Sequence, residues 1–371
     1  MFACATYRTE ADEEFDASAF PPPQSNDASS PARDSGTTSN LDAAVAVDGN
    51  TPVDAGAPLP PWSTFTGAMT SDGAWLWSGI SRTWTSTAAP TELMTRGNMC
   101  SAVDREGRIL YFGGHNSGAG ATSTADLFRF DGTRWDVLRA SAGFPLGRTG
   151  AGCFVHPTTG EFFVFGGIRY AGASPPLYLT DSWKWDGTGT SWVQLTASPW
   201  GNSVAPGYAF DTKRSVLVMR GGGASTGRHR ESYDWNGTNW TLWASSNSDD
   251  YTSALAIAYH GKREQVVRLG GLNPGNAITD ACQVSNPTFS GWIACNGTIA
   301  ARYNHAMAYD PADQKVVVFG GVNAAGVATQ DTWTWDGTWT NGSGGTSPPA
   351  KTVSSFNYLA SLQKLVLVGG F

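Results

Sequence analysis

The hydrophobic and polar positions along residues 302–339 follow a pattern that most of the chain repeats. Alternating small and large side chains at 306–310 precede the β-branched run KVVVF and two glycines at 315–321. The stretch 331–339, DTWTWDGTW, then alternates polar and aromatic residues up to an Asp-Gly turn. β-branched and aromatic residues at period two, closed by Asp-Gly, indicate strands joined by hairpins. The pattern predicts three antiparallel strands and the start of a fourth.

The double glycine that ends the second strand recurs six times along the chain, at intervals of 49 to 55 residues. The six pairs are Gly113-Gly114, Gly166-Gly167, Gly221-Gly222, Gly270-Gly271, Gly320-Gly321 and Gly369-Gly370. A third strand of the same kind follows every pair except the last. Self-similarity at a period near 50 residues is typical of repeat proteins whose units stack against their neighbours.

The sixth unit is divided between the two ends of the repeat region. Only Phe371 follows the last double glycine, so this unit lacks its third and fourth strands. The stretch 73–79, GAWLWSG, together with Trp84 matches the missing aromatic hairpin. A ring of sheets leaves no exposed edge when its first and last sheets join. We therefore predict an all-β, six-bladed β-propeller of four-stranded antiparallel blades, with the sixth blade closed by the N-terminal strands.

These six repeats resemble the kelch-repeat β-propeller family, which includes bacterial kelch-like proteins and the central domain of galactose oxidase. The resemblance covers roughly residues 73–371 and implies the propeller fold. Because one fold hosts many functions, it implies no particular activity. Blade four departs most from the family pattern, since Cys282 and Val284 occupy the two aromatic positions of its third strand.

Residues 1–61 are rich in Pro, Ala, Ser and Asp and poor in aromatic side chains, unlike the rest of the chain. This composition predicts a disordered linker ahead of a propeller at 62–371. The first residues, Met1 to Cys4, are similar to the end of a bacterial lipoprotein signal without its hydrophobic stretch. On this interpretation Cys4 is lipidated and tethers an exported propeller at the bacterial cell surface or in the periplasm. The alternative is an ordinary start with a chance cysteine.

The formal net charge of −7 narrows the choice of partners. Nucleic acids and anionic membranes select basic patches, so neither is expected as a partner. The chain contains no apolar run of about 18 residues, the length that a membrane-spanning helix needs. We therefore expect contact with a membrane only through the possible lipid anchor.

Arginines precede the first strands of blades one, two and five, at Arg96, Arg148 and Arg302. Because the strands of a blade are antiparallel, these positions and the residues after each double glycine share one mouth of the channel. The other residues expected there are His115, Asn116, Arg169, Tyr170, Asn273, Tyr303 and Asn323. Arginine holds carboxylates by bidentate hydrogen bonds, which predicts an acidic ligand on a protein or a carbohydrate. The alternative is that each arginine bonds only the backbone of neighbouring blades.

The cysteines divide into two pairs besides Cys4. Cys282 and Cys295 flank the outer hairpin of blade four and are predicted to form a disulfide, which an exported protein allows. Cys100 and Cys153 lie in the first strands of blades one and two, at positions that face opposite ways. We expect the thiols of this second pair to be free and buried.

The resemblance leaves an enzyme as an alternative to a binding protein. A copper radical oxidase resembling galactose oxidase would need two Tyr and two His around copper, and a glycan-active hydrolase or lyase would need paired carboxylates. The sequence shows no convergent set of either kind, so we predict no catalytic residue, no metal and no cofactor. We favour a non-enzymatic binding module that recognises a protein or glycan at the arginine-lined mouth. A purely structural surface scaffold is the third possibility.

Overall fold

The computed structural model describes residues 62–117, 120–141, 143–187, 191–195, 203–224, 227–243, 252–342 and 344–371. These residues form six antiparallel sheets with four strands each at their core, arranged around a central channel as a six-bladed β-propeller. The predicted fold class is confirmed. The proposed linker at 1–61 and the candidate lipidation site Cys4 lie outside the described residues.

The strands of each blade follow the order of the sequence repeat, from the channel outwards. Blades one to three contain Cys100–Val103, Ile109–Phe112, Leu127–Phe130 and Trp135–Leu138; Gly152–Val155, Phe162–Phe165, Ser182–Trp185 and Trp192–Leu195; and Gly207–Asp211, Val216–Arg220, Ser232–Trp235 and Trp240–Leu242. Blades four to six contain Ala256–His260, Gln265–Leu269, Cys282–Ser285 and Trp292–Ala294; Ala306–Asp310, Lys315–Phe319, Thr332–Trp335 and Trp339–Asn341; and Ser355–Leu359, Lys364–Val368, Met69–Ser78 and Thr83–Pro90. Each first strand therefore lies at the inner edge of its sheet.

Blade six is closed by strands from the two ends of the repeat region. Its third strand pairs antiparallel with the last strand of the chain, with Trp77 opposite Leu365 and Trp75 opposite Leu367. Trp77 is fully buried and its ring lies 5.3 Å from that of Trp84. The predicted split blade is therefore confirmed, and its seam is an ordinary strand ladder with an aromatic core.

The double glycines hold neighbouring blades at close range. The N–H of Gly321 donates to the carbonyl oxygen of Lys351 in the next blade at 2.9 Å. A Cβ atom on Gly320 would lie 2.4 Å from that same oxygen, a distance that real side chains do not tolerate. Only glycine fits such an approach. We call the face of the disc that carries these pairs the glycine face, and the opposite face, with the hairpins between first and second strands, the turn face.

A closed ring of backbone hydrogen bonds surrounds the channel at the glycine face. Each blade contributes one residue just before its first strand. The N–H of that residue donates to the carbonyl oxygen of the equivalent residue in the preceding blade, at 2.7 to 3.1 Å. The six residues are Asn98, Gly150, Ala205, Ala254, Asn304 and Val353, all with φ between 51° and 62°. Left-handed backbone is rare for β-branched residues such as Val353, so the hydrogen bonds must outweigh its strain. We call this feature the backbone ring.

Several smaller elements decorate the blades. Ser63–Thr64 adds a fifth strand to the outer edge of blade one, which the repeat did not predict. Four two-stranded ladders lie on the glycine face: Arg96–Gly97 with His115–Asn116, Ile168–Ala171 with Ser174–Tyr178, Gly223–Ala224 with Gly227–Arg228, and Arg302–Tyr303 with Val322–Asn323. The described helix, Thr91–Met94, has four residues, and no helix among the described residues could span a bilayer.

Candidate functional site

Two of the three arginines predicted at the channel mouth form buried ion pairs within their own blades. The Nη1 and Nη2 atoms of Arg302 lie 3.0 and 2.8 Å from the two carboxylate oxygens of Asp331. Arg148 pairs in the same way with Asp181, at 2.6 and 3.0 Å. Both arginines are almost fully buried, and each also donates to the carbonyl oxygen of the first glycine in its blade's pair. Their donors are therefore occupied inside the fold.

The carboxylate partners of these arginines also accept hydrogen bonds from a tryptophan. Burial raises the pKa of Asp331, but the hydrogen bonds and charge of Arg302 outweigh it, so the pKa lies below its ordinary value. The indole N–H of Trp333 donates to the same carboxylate at 2.6 Å. The aspartate and tryptophan of the repeated D-x-W pattern therefore act together with the arginine ahead of the first strand. The aspartate accepts hydrogen bonds from both of the other side chains.

Arg96 is also enclosed by acidic groups. Its Nη2 atom lies 2.9 Å from a carboxylate oxygen of Glu92 and 3.4 Å from one of Asp126, and 6% of the residue is exposed. The structure therefore corrects the expected geometry of the arginine-lined mouth. The three guanidinium groups turn into the blade rather than towards the channel, and they pair with carboxylates instead of bonding only the backbone of neighbouring blades, as the alternative interpretation expected.

The three predicted asparagines use their side chains to shape loops on the glycine face. The carboxamide oxygen of Asn323 accepts the backbone N–H groups of Ala325 and Val327, at 2.9 and 3.1 Å. Asn273 and Asn116 accept N–H groups further along their own loops in the same manner. Such local hydrogen bonds are the usual reason for asparagine in turns. The conformation of the loop after each double glycine therefore accounts for the asparagine at these positions, and no ligand is needed to explain it.

An aromatic cluster forms where blades one, two and six meet. The ring of His115 lies 5.3 Å from the ring of Tyr170 and 5.3 Å from that of Phe371. The Nδ1 atom of His115 is 2.9 Å from the hydroxyl of Thr149, and burial lowers the pKa of this histidine. The rings of His115, Tyr170 and Phe371 therefore pack together between the blades, and the imidazole is neutral.

Arg169 differs from the other predicted arginines. Its guanidinium group makes no hydrogen bond or ion pair with a described residue, and the residue is half-buried. In the hairpin Ile168–Tyr178 it pairs across the strands with Leu177, which is 50% exposed. Tyr178 follows at 37% exposure, and all five residues of the second strand are exposed. Cross-strand partners share a face, so Arg169 and Leu177 form one exposed surface, which we call the hairpin patch.

The predicted residues therefore do not converge on one mouth. Adjacent residues of a strand point to opposite sides, so Tyr170 contacts the aromatic cluster while Arg169 faces away from it. Tyr303 is half-buried in blade five, and its hydroxyl group makes no hydrogen bond with a described residue.

One disulfide lies within blade four, and the other joins the first strands of blades one and two. Cys282 and Cys295 are joined in blade four, with their Cα atoms 5.3 Å apart, as the sequence predicted. Cys100 and Cys153 are also joined, with Cα atoms 5.8 Å apart, so the prediction of two free thiols is wrong. Side chains that face opposite ways in neighbouring blades meet in the wedge between those blades. This geometry follows from the ring and not from either strand alone.

A cavity of about 690 Å³ lies at the centre of the disc, lined by the first strands of all six blades. Its lining at the turn face includes Arg105 and Thr212, which are exposed. Its lining towards the glycine face includes Met99, Leu255 and His305, which are buried. The cavity is thus open at the turn face and closed next to the backbone ring, and we call it the central pit.

Sequence reasoning missed the polar residues inside this pit. Asn357, Ser101 and Tyr208 line its middle section and are half-buried. The available signal was the position of Asn357, where four of the other repeats have alanine, at residues 102, 209, 258 and 308. An amide at a position that is otherwise small and apolar indicates a hydrogen-bonding role.

Among the described residues, no group of three or more His, Cys, Asp or Glu is close enough to hold a metal ion. Fold and site together describe a six-bladed propeller, a class of scaffold that serves binding or enzymatic functions. No protein-family model matches this chain, and no curated protein matches it. Among solved structures the chain is similar to the propeller YjhT, with a TM-score of 0.56 and 18% sequence identity. That match covers 77% of this chain and 99% of YjhT, and at this identity it shows the fold alone.

Proposed function

We propose that this chain is a non-enzymatic binding module that recognises an acidic group of a protein partner through the hairpin patch. The observation that carries the proposal is Arg169, whose guanidinium group has no partner among the described residues although the hairpin holds it at the surface. Arginine is among the side chains that contribute most binding energy at protein interfaces, and exposed aliphatic surface beside it adds contact area. The hairpin patch combines these features in one element.

The position of the hairpin supports the same proposal. Loops on a rigid scaffold carry most binding sites, and this hairpin stands on the double glycine of blade two. Leu177 is 50% exposed, and covering its apolar side chain with a partner would lower the free energy of the complex. A glycan ligand is the alternative outcome of the test, because sugars with carboxylates would also pair with Arg169.

The test compares partner capture by the full chain and by two matched variants. Arg169→Ala combined with Leu177→Asp should reduce the recovery of bound partner from extracts of the native cells by at least about tenfold. Leu242→Asp is the control, since Leu242 is 52% exposed on the outer edge of blade three, away from the hairpin. Retained capture by the hairpin variant would overturn the proposal, and loss only of glycan binding would replace the protein partner by a carbohydrate.

Elemental analysis of the purified protein tests the alternative of a metal-dependent enzyme. The proposed binding module predicts no metal in stoichiometric amount. One equivalent of copper or iron per chain would instead favour an enzyme of the galactose oxidase kind.

We also propose that the protein is exported and lipid-anchored. The two disulfides support export, because such bonds persist in oxidising compartments. Cys4, ahead of a segment rich in Pro, Ala, Ser and Asp, supports a tether. Cells fed a labelled fatty acid should incorporate the label into the full chain and not into the Cys4→Ser variant. Equal labelling of both chains, or of neither, would contradict the anchor.

A further inference from the structure

The walls of the central pit are the inner edges of the six sheets, and these edges carry backbone N–H and C=O groups that need hydrogen-bond partners. Each first strand pairs with its blade on one side only, so its other edge faces the channel. In blade one the N–H of Asp104 bonds the second strand, and period two then turns the N–H and C=O groups of Ser101 and Val103 towards the axis. The N–H of Ser101 indeed donates to the hydroxyl of Tyr208 at 3.4 Å. Six such edges surround the pit, and buried backbone groups require partners.

Three polar side chains extend this pattern in the middle of the pit. The Nδ2 atom of Asn357 donates to the hydroxyl oxygen of Ser101 at 2.6 Å. That bond leaves the hydroxyl proton of Ser101 and the carboxamide oxygen of Asn357 without a described partner. The hydroxyl oxygen of Tyr208 accepts the backbone N–H of Ser101, and its proton is directed at the sulfur of Cys153 3.9 Å away. The pit therefore offers both donors and acceptors at fixed positions.

The interior of the pit carries no charge. Among its described lining residues only Asp104 and Arg105 are charged, and both lie at the open end. The carboxylate of Asp104 is already paired with Arg108 at 2.7 Å. Burial raises the pKa of Tyr208 to about 12, so its phenol is neutral.

His305 marks the closed end of the pit. Both of its ring nitrogens are buried and have no hydrogen-bond partner among the described residues. Burial, with a smaller contribution from the charge of Arg302, lowers the pKa of His305 to about 3, so the imidazole is neutral. An unsatisfied buried nitrogen costs about 1–3 kcal/mol.

These features select one kind of ligand. An ion placed in the pit would lose its hydration without gaining an opposite charge. An apolar molecule would leave the inner strand edges, the hydroxyl proton of Ser101 and the carboxamide oxygen of Asn357 without hydrogen-bond partners. A neutral molecule with many hydroxyl groups satisfies donors and acceptors together, and the rings of Tyr208, Tyr309 and Tyr358 in the lining provide apolar surface for its C–H groups. The volume lies within the range of small-molecule sites, roughly 300–1,000 Å³.

We propose that the central pit binds one uncharged mono- or disaccharide, which enters from the turn face and is held by Ser101, Asn357 and Tyr208. The site lies on the opposite side of the disc from the hairpin patch. It is independent of the partner proposed there, so either proposal stands if the other fails.

The test is calorimetric titration of the full chain with glucose, galactose, mannose, lactose and maltose. Glucuronate and glucosamine serve as charged analogues, and cyclohexanol serves as an apolar one. We expect saturable one-to-one binding of at least one neutral sugar, and at least about tenfold weaker binding of the charged and apolar compounds. Failure of all five sugars to bind, or equal binding of a charged analogue, would overturn the proposal.

Variants locate the binding in the pit. Asn357→Ala should weaken the affinity for the sugar by about tenfold, because it removes an acceptor and releases Ser101. Asn323→Ala is the matched control, since it removes the same side chain from a loop on the glycine face and should leave the affinity unchanged. Ser101→Ala provides a second variant that removes a single oxygen atom. Unchanged affinity in both pit variants, or equal loss in the control, would show that the sugar binds elsewhere.

Discussion

The glycine face and the central pit both contain polar side chains, but the fold uses them in opposite ways. On the glycine face, Arg148 and Arg302 donate to carboxylates and backbone carbonyls within their blades, and Asn323 shapes its own loop. In the pit, Ser101 and Asn357 bond each other and leave a proton and an oxygen facing open space. A dense set of polar residues therefore does not by itself define a site. The groups that a ligand can use are those that the surrounding fold leaves without a partner.

Opening the ring should have the largest effect, because both surfaces depend on its closure. Deletion of Met69–Pro90 removes two strands of blade six and exposes the edge of Lys364–Val368. We expect loss of cooperative unfolding in urea and association of the chains in size-exclusion chromatography. Removal of residues 1–61 is the control and should leave the unfolding midpoint nearly unchanged. A deletion variant that stays monomeric and unfolds cooperatively would show that the seam is dispensable.

The ion pairs of the glycine face should contribute more to stability than the polar groups of the pit. Asp331→Ala leaves the guanidinium of Arg302 buried without its counter-charge, so the free energy of unfolding should fall by about 3 kcal/mol. Asn357→Ala removes a half-buried side chain next to the pit and should cost less than about 1 kcal/mol. Urea unfolding at neutral pH measures both. Similar losses for the two variants would remove the distinction between the two regions.

The closed end of the pit should make stability depend on pH. The pKa of His305 is lowered to about 3 in the fold, so the unfolded chain binds the proton more tightly. The stability contributed by the neutral imidazole is complete above the unfolded pKa near 6.5 and is lost as the pH falls towards 3. Between pH 7 and pH 5 this term should remove about 2 kcal/mol.

The variant His305→Met isolates this term, because methionine occupies the equivalent position of blade one at Met99. Its free energy of unfolding should fall by about 2 kcal/mol less than that of the parent chain between pH 7 and pH 5. His260, whose pKa is lowered to about 4 mainly by burial, remains in both chains and cancels in the comparison. Identical pH dependence in the two chains would show that His305 can be protonated without cost in the folded state.

The architecture could be predicted from sequence because each of its causes is local. The double glycine recurs since, in five of the six pairs, the first glycine meets a carbonyl oxygen of the next blade that leaves no room for a Cβ atom. The aromatic third strands recur since every wedge needs large rings. The missing strands of blade six could be paired with residues 73–84 because only one aromatic hairpin was left over. Repetition also showed which positions depart from the pattern, such as Asn357.

The candidate sites could not be predicted in the same way. Whether Arg302 meets a ligand or Asp331 depends on a partner 29 residues away, and a sequence pattern contains no distances. The disulfide between Cys100 and Cys153 was missed because side chains that diverge within their own sheets converge between neighbouring sheets.

The amino-acid sequence by itself determined the number of blades, the order of their strands and the seam at which the ring closes, because periodicity and glycine spacing express contacts between adjacent repeats. Only the tertiary structure decided which polar groups are satisfied and which remain open to a ligand. That balance depends on how six inner edges meet around one axis, and no single repeat contains the information. For this reason the arginines, prominent in the sequence, belong to the framework, whereas Ser101, Tyr208 and Asn357 line the central pit.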